Sequence, residues 1–110
     1  MAVAWIVETL NDTVDEELEA LPADLRARFV RVAQLFETVG LPNVGEPHVK
    51  HIGGAIWEIR LKGKSGIARA LYVTVKSQRV VVLRVFVKKT QRTPPREFRL
   101  ARERAKELNG

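Results

Sequence analysis

The 110-residue sequence predicts an α+β fold with an N-terminal strand, a helical hairpin, an antiparallel three-strand meander and a C-terminal helix. Three observations predict it. Apolar side chains between positions 14 and 39 recur at helical steps of three and four. Three strand-type runs between positions 56 and 88 are joined by connections of four and two residues. A final apolar stripe of helical period follows Thr93-Pro94. A chain of this length supports one core, so a single domain is expected over residues 1–110.

The first strand is expected over residues 4–10, an apolar run that ends at the turn-forming pair Asn11-Asp12. Thr13 followed by Glu16 has the pattern of a capping box, in which two side chains satisfy the open amides of a first helical turn. Val14, Leu18 and Leu21 then mark a short acidic helix stopped by Pro22. Leu25, Phe29, Val32, Phe36 and Val39 fall on one face of a second helix, which Gly40 and Pro42 end. Residues 40–54 hold Gly40, Gly45, Gly53, Gly54, Pro42 and Pro47 and read as a loop. Strands follow at 56–62, 67–76 and 79–88, their short connections implying an antiparallel meander. Thr93 is expected to cap the last helix, with Pro94 where a missing amide is harmless and Phe98, Ala101, Ala105 and Leu108 as the buried stripe. The helical hairpin is the expected cover for one face of the sheet.

Composition narrows the chemistry. With 45% hydrophobic and 29% charged residues the chain has enough apolar material for a packed interior. It has no cysteine, which excludes disulfides, thiolate nucleophiles and cysteine-ligated metals, and its scattered acids form no metal site; no cofactor is expected. The apolar start lacks a basic flank and no run is long enough to span a bilayer, so a cytoplasmic protein without membrane contact is expected. The net charge of +6 is unevenly divided: residues 1–40 carry eight acids and three bases, and residues 41–110 carry five acids and sixteen bases. A second half this basic points to a polyanionic partner, because lysines and arginines that neutralise phosphates release condensed counterions.

Alternation along the strands says where those bases point. Trp57, Ile59 and Leu61 share one face, which leaves Glu58, Arg60 and Lys62 on the other. In the last strand Val81, Leu83, Val85 and Val87 form an apolar set opposite Val82, Arg84, Phe86 and Lys88, an aromatic between two cations suited to an RNA base and its phosphates. The middle strand is ambiguous. Arg69 shares its parity with Ile67, Leu71 and Val73, so either Arg69 or Tyr72 reaches a cleft on the polar face. His48 and His51 read as loop residues, with His51 and Lys50 placed to border RNA.

Three blocks resemble a known family: Gly53-Gly54-Ala55-Ile56-Trp57-Glu58-Ile59-Arg60, Gly66-Ile67-Ala68-Arg69-Ala70-Leu71-Tyr72, and Phe86-Val87-Lys88-Lys89-Thr90-Gln91-Arg92-Thr93-Pro94. In order and spacing they resemble the phage-derived, HigB-like branch of the RelE/ParE toxin superfamily, and the element order fits a RelE-like fold. The resemblance implies a toxin of a type II toxin–antitoxin system, a metal-independent endoribonuclease that cuts mRNA on the ribosome. It further implies a neutralising antitoxin of the helix-turn-helix, HigA-like kind, with operator DNA bound only through that antitoxin. Arg60, Lys62 and Arg69 correspond to the residues that grip the scissile phosphate, and Lys88 and Lys89 to the lysine pair after the last strand. Arg84, Phe86, Arg92, Lys50 and His51 are the expected RNA contacts.

The chemistry is intelligible from the residues. RNA supplies its own nucleophile, the 2′-hydroxyl, so a protein must hold it in line, stabilise charge on the phosphate oxygens and move two protons. Arginine's planar fork suits the phosphate, and a lysine in a crowded cationic cleft can titrate low enough to carry a proton. Arg84 stands where relatives often carry histidine, and the chain ends at Leu108-Asn109-Gly110 without the terminal aromatic some relatives use; the proton carrier therefore stays open between Tyr72 and a lysine. Two other readings share the fold: a ParE-like toxin that inhibits gyrase, which the cluster of cleft bases disfavours, and a non-catalytic RNA-binding module of prophage origin.

Overall fold

The structure is a computed structural model that describes residues 4–46, 48–89 and 92–108. Thr90 and Gln91 of the third sequence block, together with Pro47, lie outside the described residues. In chain order the elements are β1 (Ile6–Thr9), α1 (Asp12–Glu19), α2 (Ala23–Val39), β2 (Val49–Gly53), β3 (Ile56–Gly63), β4 (Gly66–Val75), β5 (Arg79–Lys88) and α3 (Pro95–Ala105). They form one five-stranded sheet of order β1-β5-β4-β3-β2, in which β1 runs parallel to β5 and the other pairs are antiparallel.

The α+β expectation holds, and several details differ. The segment expected to be a loop contains β2, so the meander has four strands. β2 pairs with β3 only from Val49↔Ile59 to Gly53↔Ile56, with an irregularity between His51 and Gly53. Glycine and proline density hid this strand, because what makes it a strand is a neighbouring edge rather than its own propensity. The cap of α1 is Asn11 rather than Thr13: the Asn11 side-chain oxygen accepts from the Val14 amide at 3.1 Å, which starts the helix at Asp12. Arg26 then closes the tight turn into α2, its Nη1 donating to the Glu19 and Leu21 carbonyls at 2.8 and 3.1 Å.

The apolar positions of α2 behave as their spacing dictates. Leu25, Phe29, Val32 and Phe36 are buried, whereas Val39 at the helix end is exposed. With Val14 and Leu21 of the α1–α2 hairpin they pack on Ile59, Leu61, Ala68, Ala70, Tyr72, Val80, Val82 and Val85. A second core lies on the other side of the sheet, where Ala101 and the flanking Phe98, Ala105 and Leu108 cover Ile56, Leu71, Val73, Val81 and Leu83. The expectation of a single covered face is thus replaced by a sandwich, with α3 as the second layer. Gly53 permits its close approach, since a Cβ there would lie 2.7 Å from the Phe98 ring.

β5 also corrects the predicted alternation. The β4–β5 register slips between Leu71↔Arg84 and Tyr72↔Val82, so Leu83 is an extra residue and the side-chain phase changes across it. Val81 and Leu83 consequently face α3, while Val85 joins Val80 and Val82 beneath the hairpin.

Candidate active site

β3 outruns β2, and that mismatch makes the cleft. Pairing with β2 ends at Ile59, the Arg60 amide donates to the His48 carbonyl at 2.8 Å, and the edge of β3 beyond it is open. An open cleft of about 490 Å³ lies there, lined by Arg28, His48, Arg60, Leu61, Lys62, Ile67 and Arg69. The strand register sets its charge. Arg60 lies directly opposite Arg69, Phe86 follows Arg69 on β5, and Lys62, Ile67 and Lys88 form the next row. Like charges opposed across a strand pair repel, so this end of the sheet is held together against its own electrostatics.

One carboxylate offsets that repulsion. Glu58, only 3% exposed, places Oε1 at 3.5 Å from Arg69 Nε and 4.0 Å from Arg60 Nε, while its Oε2 accepts the Thr93 hydroxyl at 2.6 Å. Arg69 is 4% exposed; its Nη1 donates to the Ala68 carbonyl at 3.1 Å, and its Nε meets Glu58 as an ion pair without a well-formed hydrogen bond. Burial, opposed by Glu58 and reinforced by Arg60, lowers the Arg69 pKa, though a guanidinium stays protonated throughout the physiological range. Lys88, 7% exposed, is held below the ordinary 10.5 of a lysine, first by burial and then by repulsion from Arg69, Arg60 and Lys50, with Glu58 pulling the other way.

The sequence-predicted residues separate into groups. Arg60, Lys62 and Arg69 share the cleft wall, and Lys88 lies one strand away on the same face. Lys50 is exposed opposite Glu58 on β2, and Lys89 and Arg92 are exposed on the segment from β5 to α3. Tyr72 does not belong with them: it lies beneath the hairpin, 1% exposed, its ring 5.9 Å from that of Phe36, and burial pushes its phenol well above the ordinary value of 10. The ambiguity in β4 resolves in favour of Arg69, because Ala68, Ala70 and Tyr72 face the hairpin core.

Packing gives three of the expected RNA contacts other partners or other surroundings than strand parity implied. Phe86 is buried in the second core and offers no open stacking platform. Arg84 lies 5.8 Å from the Phe86 ring centroid and pairs with Glu17 and Glu97, each at 2.8 Å, so its charge is already matched. His51 stands opposite Trp57, on the parity facing away from Arg60; its ring is 5.0 Å from Trp57 and its Nε2 is 2.7 Å from the Gly54 carbonyl. Conversely, sequence reasoning missed Arg28, whose approach to the cleft depends on how α2 packs, and set His48 aside as an ordinary loop residue. It also missed the tie from Glu58 to Thr93. Parity alone placed Glu58 with Arg60; Thr93 was expected to cap α3, but the cap position is Pro94, without a side-chain bond.

Among the described residues no cluster of His, Cys, Asp and Glu could hold a metal ion, and no helix is long and apolar enough to cross a membrane. Residues 16–106 match the profile of a family described as phage derived protein Gp49-like (DUF891). Among solved structures, the chain is similar to a chain of the crystal structure of the archaeal RelE–RelB complex from Pyrococcus horikoshii OT3, with a TM-score of 0.54 and 20% identity over 76% of this chain and 94% of that one. That likeness shows a shared RelE-like fold. No curated protein matches the chain.

Proposed function

The chain belongs to the phage-derived Gp49-like family, a RelE/HigB-type toxin family, and we propose that it is a metal-independent endoribonuclease that cleaves mRNA on the ribosome. The observation that carries the reading is the cross-strand pair Arg60↔Arg69, two guanidiniums at an open cleft that share the Glu58 carboxylate, with Lys88 one strand away on the same face. Such a site is short of negative charge, and a phosphodiester supplies it. Arg60 and Arg69 hold the non-bridging oxygens and stabilise the charge that grows on them as the phosphorus becomes five-coordinate. Neutral Lys88, favoured by its lowered pKa, takes the proton of the 2′-hydroxyl, and water supplies the proton with which the 5′-oxygen departs. The 2′-oxygen-to-phosphorus bond forms, the bond to the 5′-oxygen breaks, and that oxygen leaves with a proton, giving a 2′,3′-cyclic phosphate and a 5′-hydroxyl. Lys62 at the cleft and exposed Lys50 on β2 extend the cationic surface, and exposed Lys89 and Arg92 add charge in the segment after β5.

A toxin of this kind requires restraint, and the RelE–RelB complex supports an antitoxin partner; the helix-turn-helix, HigA-like type is proposed from the sequence resemblance. The test is to induce the chain in cells and in a purified translation system, map mRNA 5′ ends, and analyse the product termini. Codon-phased cuts bearing 2′,3′-cyclic phosphates, lost in R60Q and R69Q variants of unchanged fold, are the expected result. Intact mRNA with blocked gyrase supercoiling would replace this reading with gyrase inhibition. Intact mRNA with retained RNA binding would leave a non-catalytic module.

A further inference from the structure

Glu58 is a buried carboxylate beside the cleft arginines that the cleavage chemistry leaves unused, and its surroundings give it a task. It projects from β3 on the same face as Arg60, two residues away, and its register partners are Lys50 on β2 and Leu71 on β4. Oε1 faces the Nε atoms of Arg69 and Arg60, and Oε2 takes the Thr93 hydroxyl from the segment that leads into α3. Arg69 thus has its Nε at Glu58 and its Nη1 at the Ala68 carbonyl. The carboxylate engages the back of each guanidinium, and a phosphate at the cleft would engage the front. We infer that Glu58 is a positioning residue, which aims Arg60 and Arg69 at the scissile phosphate and is itself held by the Thr93 hydroxyl just ahead of α3.

This inference rests on the ribonuclease reading and makes a prediction that simple charge complementarity would not. Glu58 repels RNA, so neutralising it should leave affinity unchanged or raise it while slowing cleavage. A misplacement of about 1 Å can cost ~100-fold in rate when the reacting groups lose alignment. The experiment compares E58Q, T93V and T93S with the wild-type chain. It measures affinity for an RNA blocked by 2′-O-methyl groups, the maximal single-turnover cleavage rate, and the Arg69 Nε–H resonance by NMR. In E58Q the expected result is equal or tighter binding, a maximal rate lower by roughly ten- to a hundredfold, and an Arg69 Nε–H lost to fast exchange with water. T93V should lower the rate in the same direction and by less, and T93S should restore it.

A maximal rate in E58Q within about twofold of wild type, or affinity and rate falling in step, would overturn the positioning role. Should E58Q fail to fold, T93V against T93S decides it, because equal rates in those two variants also overturn the role. If the wild-type chain cleaves no RNA in any setting, the ribonuclease reading is what fails. The Arg69 resonance then still tests whether Glu58 orders that side chain: loss in E58Q supports it, and an unchanged signal overturns it.

Discussion

Two groups of cations lie on the α3 side of the sheet, and they are built to opposite rules. At the outer edge of β5, Arg84 and Arg104 meet Glu17 and Glu97 in contacts of 2.8 Å, two bases for two acids. At the end of β3 and β4, Arg60 and Arg69 share Glu58, at ion-pair distances of 4.0 and 3.5 Å, with Lys88 one strand away on the same face. The balanced group fastens one part of the fold to another. β1 pairs with β5 only as far as Val82, and the edge beyond is closed by Glu17, which accepts from the Val85 amide at 3.1 Å, and by Arg104, which donates to the Leu83 carbonyl at 2.8 Å. In the second group Arg60 and Arg69 line an open cleft instead of fastening two elements together. Assembling like charges at low exposure is unfavourable without a counter-ion, and on the proposed reading an RNA phosphate supplies it to Arg60 and Arg69.

The largest effects should separate the groups by function. R69Q is expected to lower mRNA cleavage by on the order of 100- to 1000-fold, the usual consequence of removing a donor to a developing oxyanion. R69K should recover little of it, since an ammonium lacks the planar fork. R84Q should leave cleavage near wild type once corrected for folded protein. Comparable loss of maximal rate in R84Q and R69Q would erase the distinction. Salt titration sharpens it: removing a cleft cation that contacts a phosphate should reduce the slope of log binding constant against log salt by about 0.7 on single-stranded RNA, and R84Q should not change it.

Stability should reverse the ranking. Truncating Glu17 to Ala leaves two partly buried guanidiniums short of an acid and the Val85 amide without its acceptor, a loss of roughly 3 kcal/mol in denaturant unfolding. Burial works against the Glu17 carboxylate, but the Arg104 and Val85 hydrogen bonds and the two arginine charges outweigh it and lower its pKa. A carboxyl lowered in the fold contributes stability in full above its unfolded value of about 4.3 and loses it as pH falls through the folded value. The acid limb of the wild-type stability curve should therefore be steeper than that of E17Q. Coincident limbs would remove Glu17 from the stability account.

The sequence carried the local half of this comparison and concealed the rest. Leu25, Phe29, Val32 and Phe36 announce α2 because helical spacing is a property of neighbours in the chain. Arg60 shared a face with Lys62, and Lys88 a face with Phe86, because strand parity is nearly as local, but parity left Arg69 and Tyr72 as alternatives that only the packing of β4 decides. The run Val80, Val81, Val82, Leu83 carries no polar marker of phase, so neither the bulge at Leu83 nor the inward turn of Phe86 could be read from it. Nor could residue type tell matched cations from unmatched ones. Arg84 looked like an RNA contact until Glu17 and Glu97 arrived from two helices, and Arg28 reached the cleft only because α2 packs beside it.

The smallest expected effect tests whether crowding in the unmatched group tunes its chemistry. Lys88 is lowered by burial first and by its cationic neighbours second, Lys50 among them. If neutral Lys88 takes the 2′-hydroxyl proton, cleavage should rise with pH through a limb lying below the ordinary lysine value of 10.5. Removing Lys50 in K50Q leaves the burial in place and takes away one repelling charge, so the Lys88 pKa should rise and the limb should move to higher pH. R84Q removes a positive charge that already has two acids beside it and should leave the limb where it is. A limb that stays put in K50Q, or one that moves equally in R84Q, would mean that Lys88 does not carry this proton or that the two groups are not electrically separate. A shift confined to K50Q would show that the shortage of acids around the cleft sets the pH at which its lysine can work.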